Sequence, residues 1–416
     1  MNELDHFAAL DARLVAAARP IRLLAAASWP ASVQAQFLAT LKDEHVNLPV
    51  VTYPSFDLGD TRRELDAIAT AADPAHPIGD YLRRSAGAYH LAAEIMEALG
   101  SRRVGGLSAR LYGAPGEPLP GSDWTNVDAA SLFVVLADEL DADLIDPDAE
   151  AVLPAETVRA ELQAAVDRVF VQHQVEVQLD PDLVAKAAAG SARVRLRTGS
   201  LFSPADVRQL LEHEVLVHTL TAINGREQPN LKSLGQSSPR VTATQEGLAT
   251  FAEQITGSID IRRMKRISLR IQAIDRALKG ADFVEVFRFF RGAGQGTIDS
   301  FSSSMRVFRG VPLTGGAAFC KDTVYLHGLL SVHTFFRWAL KHRRLNLLRW
   351  LFAGKLALHD VLALQPWFES GWIAAPTYLP HWAERTGNLA GLLAFSLFAN
   401  RIRLDTLAAE DIVLGV

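Results

Sequence analysis

The residues with the clearest chemical potential lie in one run, Leu210-Leu211-Glu212-His213-Glu214-Val215-Leu216-Val217-His218-Thr219-Leu220. Two histidines and a glutamate interrupt an apolar segment. It follows Ser203-Pro204, which reads as an N-cap with proline at the first helical position. A His-Glu pair followed by a second His on one helix can hold a metal ion on two imidazoles, with the glutamate as general base. Here the histidines are five residues apart rather than four. On a regular helix four residues leave side chains about 40° apart, whereas five turn them roughly 140° apart. Both rings can meet one ion only if the turn carries an extra residue, as in a π-bulge. The competing reading is a half-buried helix whose histidines find ordinary hydrogen-bond partners. This run alone does not choose between the two.

A third candidate lies downstream in Thr242-Ala243-Thr244-Gln245-Glu246-Gly247-Leu248-Ala249. Thr242 and Gln245 have capping-box spacing, which predicts a helix starting here with Glu246 in its first turns. Catalytic zinc often takes two histidines and a carboxylate and keeps a fourth position for water. Between His218 and Glu246 lie Asn224-Gly225 to Asn230 and Gly235 to Pro239, which is loop chemistry, so the two helices can pair face to face.

The paired stretches resemble the "QEGLA-motif" proteins, bacterial relatives of the microtubule-associated tyrosine carboxypeptidases. The resemblance is carried by His213-Glu214 with His218 and by Gln245-Glu246-Gly247-Leu248-Ala249. Further agreement comes from Ser108 to Tyr112-Gly113, Asn224-Gly225 with Gln228-Pro229, Arg309-Gly310, and Lys321-Asp322 with Tyr325 and Gly328. It implies one zinc per chain on His213, His218 and Glu246, with Glu214 as catalytic base. It also implies removal of a C-terminal residue, tyrosine-like in the animal members, from a peptide or protein. Spacing alone supports only a zinc hydrolase. An endopeptidase or aminopeptidase, or a non-catalytic regulatory protein stabilised by zinc, are the alternatives.

A carboxypeptidase must neutralise its substrate's terminal carboxylate, which arginine or lysine does through charge-assisted hydrogen bonds. Arg306, Arg309 and Lys321 are the candidates, and the family pattern keeps Arg309 and Lys321. Tyr325 or His327 could stabilise the oxyanion.

The whole chain can position such a site. Its 416 residues are 49% apolar and 21% charged, enough for a sizeable core. A net charge of −5, from 42 basic and 47 acidic residues, argues against a nucleic-acid binder. The single cysteine, Cys320, excludes an internal disulfide and reads as a buried thiol in a reducing compartment. No apolar run is long enough to span a bilayer. Acidic Glu3, Asp5 and Asp11 spoil a secretory signal before Arg22 to Ala27, so the expectation is a cytoplasmic protein.

The expected fold is α+β and predominantly helical, a zinc metallopeptidase core with a small sheet before the histidine helix. Residues 1–110 read as an N-terminal helical region and 111–416 as the catalytic domain, or the two as one continuous fold. His45, His76 and His90 read as surface or satisfied histidines. The proline-rich stretch 113–121 is a loop. Val175, Val177 and Leu179, then Val194 and Leu196, alternate with polar residues and predict two strands. They form either a plain hairpin or, through the second strand, an edge that pairs with substrate backbone. Residues 259–278 predict a basic amphipathic helix, either solvated or facing a membrane or acidic partner. Gly292, Gly294 and Gly296 read as a loop. Residues 365–372 form an aromatic segment that covers the cleft or packs.

Overall fold

The computed structural model describes residues 3–41, 46–140, 151–181, 183 and 185–401. His45 lies outside them. Among the described residues helices dominate and the strands form two small sheets, so the architecture is α+β as the patterning predicts. Among the described residues no helix is long and apolar enough to cross a membrane.

The larger sheet differs from a hairpin. Strand Arg193–Arg197 is central, with Glu176–Asp180 parallel on one side and Ala187–Ala189 antiparallel on the other. The alternation of Val177, Val194 and Leu196 predicts the buried face correctly. It cannot reveal the intervening alanine strand, whose residues carry little pattern. That alanine strand is an edge and lies against the histidine helix.

The histidine helix begins as the sequence predicts. Ser203 accepts from the Asp206 amide, Asp206 reciprocates to the Ser203 amide, and Pro204 holds the first helical position. The regular helix Pro204–Leu210 then widens into a π-helix over Leu211–Thr219 before α geometry resumes at Leu220–Arg226.

The glutamate helix spans Thr242–Ile255, but not through a capping box. A 3₁₀ turn, Pro239–Val241, runs directly into it, and the Thr242 hydroxyl donates to the Pro239 carbonyl instead. Helix Val324–Lys341 crosses it at glycines. A Cβ on Gly247 would lie 2.2 Å from the Gly328 carbonyl carbon, and one on Gly328 would lie 2.1 Å from the Ala243 oxygen. Only two glycines allow this approach.

Two large clusters of buried side chains form the core, and each draws residues from both sides of residue 110. In the first, Phe7, Leu10 and Leu14 share a core with Val215, Val217, Leu248 and Phe251. Asp11 of the first helix, fully buried, accepts from the Ser233 amide at 3.1 Å and from its hydroxyl, tying the N-terminal helices to the loop behind the site. The aromatic segment packs: Phe368 stacks on Trp350, and Trp367 meets His76 edge-on. His76 itself accepts from the Ile78 amide as the cap of helix Pro77–Glu97.

Candidate functional site

The π-helix supplies the extra residue per turn that a shared ion would need at this spacing. Its wider turn stacks residue i near residue i+5, so the rings of His213 and His218 stand 4.8 Å apart instead of on different faces. Glu246 enters from the facing helix. His213 Nε2 is 3.4 Å and His218 Nε2 3.5 Å from Glu246 Oε2. The three candidate ligand atoms lie within 4.8 Å of one another. A tetrahedral ion with ligands at ~2.0–2.2 Å separates its ligand atoms by roughly 3.3–3.6 Å. The carboxylate-to-imidazole distances fall in that range, and two imidazoles with one carboxylate suit a borderline cation. These residues fit a metal.

The electrostatics are those of a compact charged cluster. Burial alone would depress His213, yet hydrogen bonds to Glu246 and Glu253 outweigh it and push the imidazole up to about 10. Burial would raise Glu246, but Lys321 and both histidines hold it well below the usual carboxylate range. Gln245, beside it, accepts from the Thr221 hydroxyl at 2.9 Å and so fixes the glutamate helix against the continuation of the π-helix.

Beyond Glu246 the site becomes cationic. Lys321 Nζ reaches Glu246 Oε1 at 3.2 Å and stands 5.1 Å from the centre of the Tyr325 ring. Arg306 forks onto Asp322 at 2.6 and 2.7 Å, and its Nη2 lies 3.4 Å from the Tyr325 hydroxyl. Arg270 Nε is 3.8 Å from Asp322. Arg309 adjoins this group, and burial followed by repulsion from Arg306 lowers it to about 10. Lys321, Arg270, Arg306 and Arg309 thus face Asp322 and Glu246, leaving positive charge in excess. The Nε atoms of Arg270 and Arg309 are buried without a hydrogen-bond partner.

These positions refine the expectations for each residue. Arg306 is held by Asp322 and Lys321 by Glu246, whereas Arg309 keeps an unmet donor. Tyr325, not His327, joins the cluster, because two residues along a helix point in nearly opposite directions. The predicted basic face is not a solvated stripe either. Within helix Ile261–Leu278, Arg263 grips buried Glu253 and Arg270 turns toward Asp322, while Lys265 pairs with Asp138.

The sequence model of one protein family, described as microtubule-associated tyrosine carboxypeptidase, matches residues 35–401. The chain belongs to this family. No curated protein sequence matches it.

Several residues that carry the resemblance to these tyrosine carboxypeptidases hold the frame rather than the site. Asn224 donates to the carbonyls of Phe352 and Tyr378 and accepts from the amides of Thr377 and Tyr378. Gln228 does the same between Ala353 and Ala374. Gly225 packs against the Leu234 carbonyl, where a Cβ would lie 2.1 Å away. Ser108 donates to the Ala318 carbonyl and accepts from the Cys320 amide, anchoring the segment that presents Lys321. Cys320 is buried, as expected.

Three contributors escaped sequence reasoning. Glu253 bonds to His213 Nδ1 at 2.6 Å. Asp322 organises the arginines. Lys355, buried and donating to Ser237 at 2.7 Å, is lowered to about 8 by burial despite the fields of Glu246 and Glu214. The heptad offset of Glu253 from Glu246 was the one signal that could have found it. Lys355 sits in a loop with no periodicity to reveal it.

Proposed function

We propose that this chain is a zinc-dependent carboxypeptidase that removes a C-terminal, tyrosine-like residue from a peptide or protein. The observation that carries the reading is the adjacency of two features. Two histidines and one carboxylate whose candidate ligand atoms lie within 4.8 Å of one another sit beside a largely buried cluster of excess positive charge with unmet arginine donors.

His213, His218 and Glu246 would hold the zinc, which supplies Lewis acidity and an acidified water. Glu214 follows His213 in the π-helix and is assigned the general-base role: it takes the proton from water and returns it to the leaving amine. Arg309 supplies the charge for the substrate's terminal carboxylate. Its buried, unpartnered Nε–H gains a charge-assisted hydrogen bond there, and the cost of leaving that donor unmet, ~1–3 kcal/mol, disappears. Arg306 and Lys321 set the positive field, with Asp322 fixing the Arg306 fork. The Tyr325 hydroxyl, within reach of Arg306, is the donor assigned to the developing oxyanion.

Substrate backbone has partners at the alanine edge strand. Register places Gly190 opposite Arg193 and Ala188 opposite Arg195, with bonds from Gly190 N to Arg193 O and Arg197 N to Lys186 O. Hydrogen-bonded pairs alternate, so the amides and carbonyls of Ala187 and Ala189 point away from the sheet. An extended peptide can add there beside the π-helix.

The test is a set of matched peptides with free or amidated C-termini, digested with the zinc-loaded protein and read by mass spectrometry. Loss of one terminal residue from free-acid peptides only is the expected product. Internal cleavage, N-terminal trimming or equal processing of the amides would reject the carboxypeptidase reading.

A further inference from the structure

We propose that Glu253 is the positioning residue of the metal centre, holding His213 in the tautomer and orientation that present Nε2 to the ion. The proposal rests on the zinc reading above. Its basis is a chain of contacts separate from the ligands themselves.

Glu253 is fully buried. A carboxylate there is costly unless its oxygens are paired, and both of its oxygens are paired. Oε1 contacts His213 Nδ1 at 2.6 Å and accepts from Arg263 Nη2 at 2.6 Å and Gln209 Nε2 at 3.0 Å. Oε2 accepts from Arg263 Nε. An ionised carboxylate can only accept, so Nδ1 must donate. That leaves Nε2 of the same ring as the ligand atom, and Nε2 is the atom 3.4 Å from Glu246.

Helix geometry makes the arrangement possible. Glu253 is seven residues beyond Glu246, two turns along helix Thr242–Ile255, so both carboxylates face the π-helix. One helix therefore supplies a ligand and, two turns on, the group that orients another ligand. Arg263 and Gln209 lock Glu253 from the flanking helices Ile261–Leu278 and Pro204–Leu210. Among the described residues no carboxylate bonds His218 Nδ1, so the two histidines are held unequally. Metal-bound imidazoles commonly depend on such an outer partner, and its loss lowers metal affinity by about 10- to 100-fold.

A structural role for the ion pair predicts something different. Glu253 and Arg263 would then merely fasten helix Ile261–Leu278, and breaking the pair from either side would lower stability without a selective effect on metal. The experiment compares Glu253→Gln with Arg263→Gln. Zinc affinity is measured by competition with a chromophoric chelator, and stability by thermal unfolding of the zinc-free proteins. Positioning predicts a loss in zinc affinity of about 10- to 100-fold for Glu253→Gln and of no more than a few-fold for Arg263→Gln, whichever variant is less stable. Equal zinc affinity in Glu253→Gln and wild type overturns the proposal.

A second measurement needs no variant. Nitrogen NMR of histidine-labelled wild type during zinc titration should show His213 Nε2 taking the metal while Nδ1 stays protonated. Coordination through Nδ1 overturns it. Absence of zinc binding by wild type would instead refute the metal reading on which the proposal stands, so the two failures are distinct.

Discussion

Replacing Gly247 with alanine tests whether the glycine crossing sets the site. The added Cβ would sit 2.2 Å from the Gly328 carbonyl carbon, 2.3 Å from its oxygen and 2.7 Å from its Cα. All three are backbone atoms that no rotamer change can move. Ordinary contact begins near ~3.5 Å, so helices Thr242–Ile255 and Val324–Lys341 must part by about 1.3 Å locally. Overpacking of this kind costs ~1–3 kcal/mol, and the upper end applies where backbone meets backbone. The shift also acts on Glu246, the neighbouring residue. Its 3.2 Å contact with Lys321 would stretch beyond ion-pair range, because Lys321 lies just before the displaced helix. A misplacement of about 1 Å can cost ~10²-fold in rate, so kcat/KM should fall by that order. The assays are thermal unfolding and turnover of a free-acid peptide. Gly87→Ala is the matched control. Gly87 is exposed in the interior of helix Pro77–Glu97 with nothing within 4 Å of its would-be Cβ, so alanine should stabilise by ~0.5–1 kcal/mol. Wild-type melting and activity in Gly247→Ala would refute the packing argument.

The two glutamates near the histidines should separate by readout. Glu214→Gln should keep zinc while turnover drops ~10²–10⁴-fold, whereas Glu246→Gln should first lose zinc affinity and recover partly in excess metal; the opposite pattern would mean their roles are exchanged. At the edge strand, Ala189→Pro removes an outward amide and should raise KM with little loss of stability, because proline is tolerated where the N–H is not used by the sheet; an unchanged KM would place the substrate elsewhere. Burial raises Asp11 from 3.8 to about 6, against the lowering effect of Ser233. A raised carboxyl contributes stability below its unfolded value and loses it as pH rises through the folded one, here between about 4 and 6. The difference amounts to at most ~3 kcal/mol. Asp11→Asn, neutral throughout, should flatten that part of the curve in urea unfolding from pH 4 to 7; a constant gap between the two proteins would contradict the assignment.

Local chemistry was legible where a single residue type decides the conformation. Ser203-Pro204 announces a helix start, and the five-residue interval between His213 and His218 could bring both rings to one ion only through a π-turn, which Leu211–Thr219 adopts. Register and partner choice were less legible. Strand Ala187–Ala189 turns a two-strand pattern into a parallel pair with an antiparallel edge, yet three alanines give no alternation to read. Thr242 has the right spacing for a cap, but the upstream 3₁₀ turn already occupies the helix entrance, so tertiary path overrode a local motif.

Charge was the least legible property, for a physical reason. Helix Ile261–Leu278 reads as basic, and a run of arginines in sequence suggests solvent or an acidic partner. In the fold its partners are carboxylates that approach from other elements: Glu253 for Arg263, and Asp322 near Arg270. The first pair leads to His213, and the second to Arg306 and Tyr325. One helix therefore reaches the candidate metal cluster through Glu253 on one side and the cationic cluster through Asp322 on the other. Its basic residues act as supports whose purpose is set by what faces them. A periodicity plot shows which residues share a face but not the charge of the opposing wall. This explains why the candidate ligands could be proposed from sequence motifs and the family resemblance, while the residues that hold them appeared only once the helices were packed.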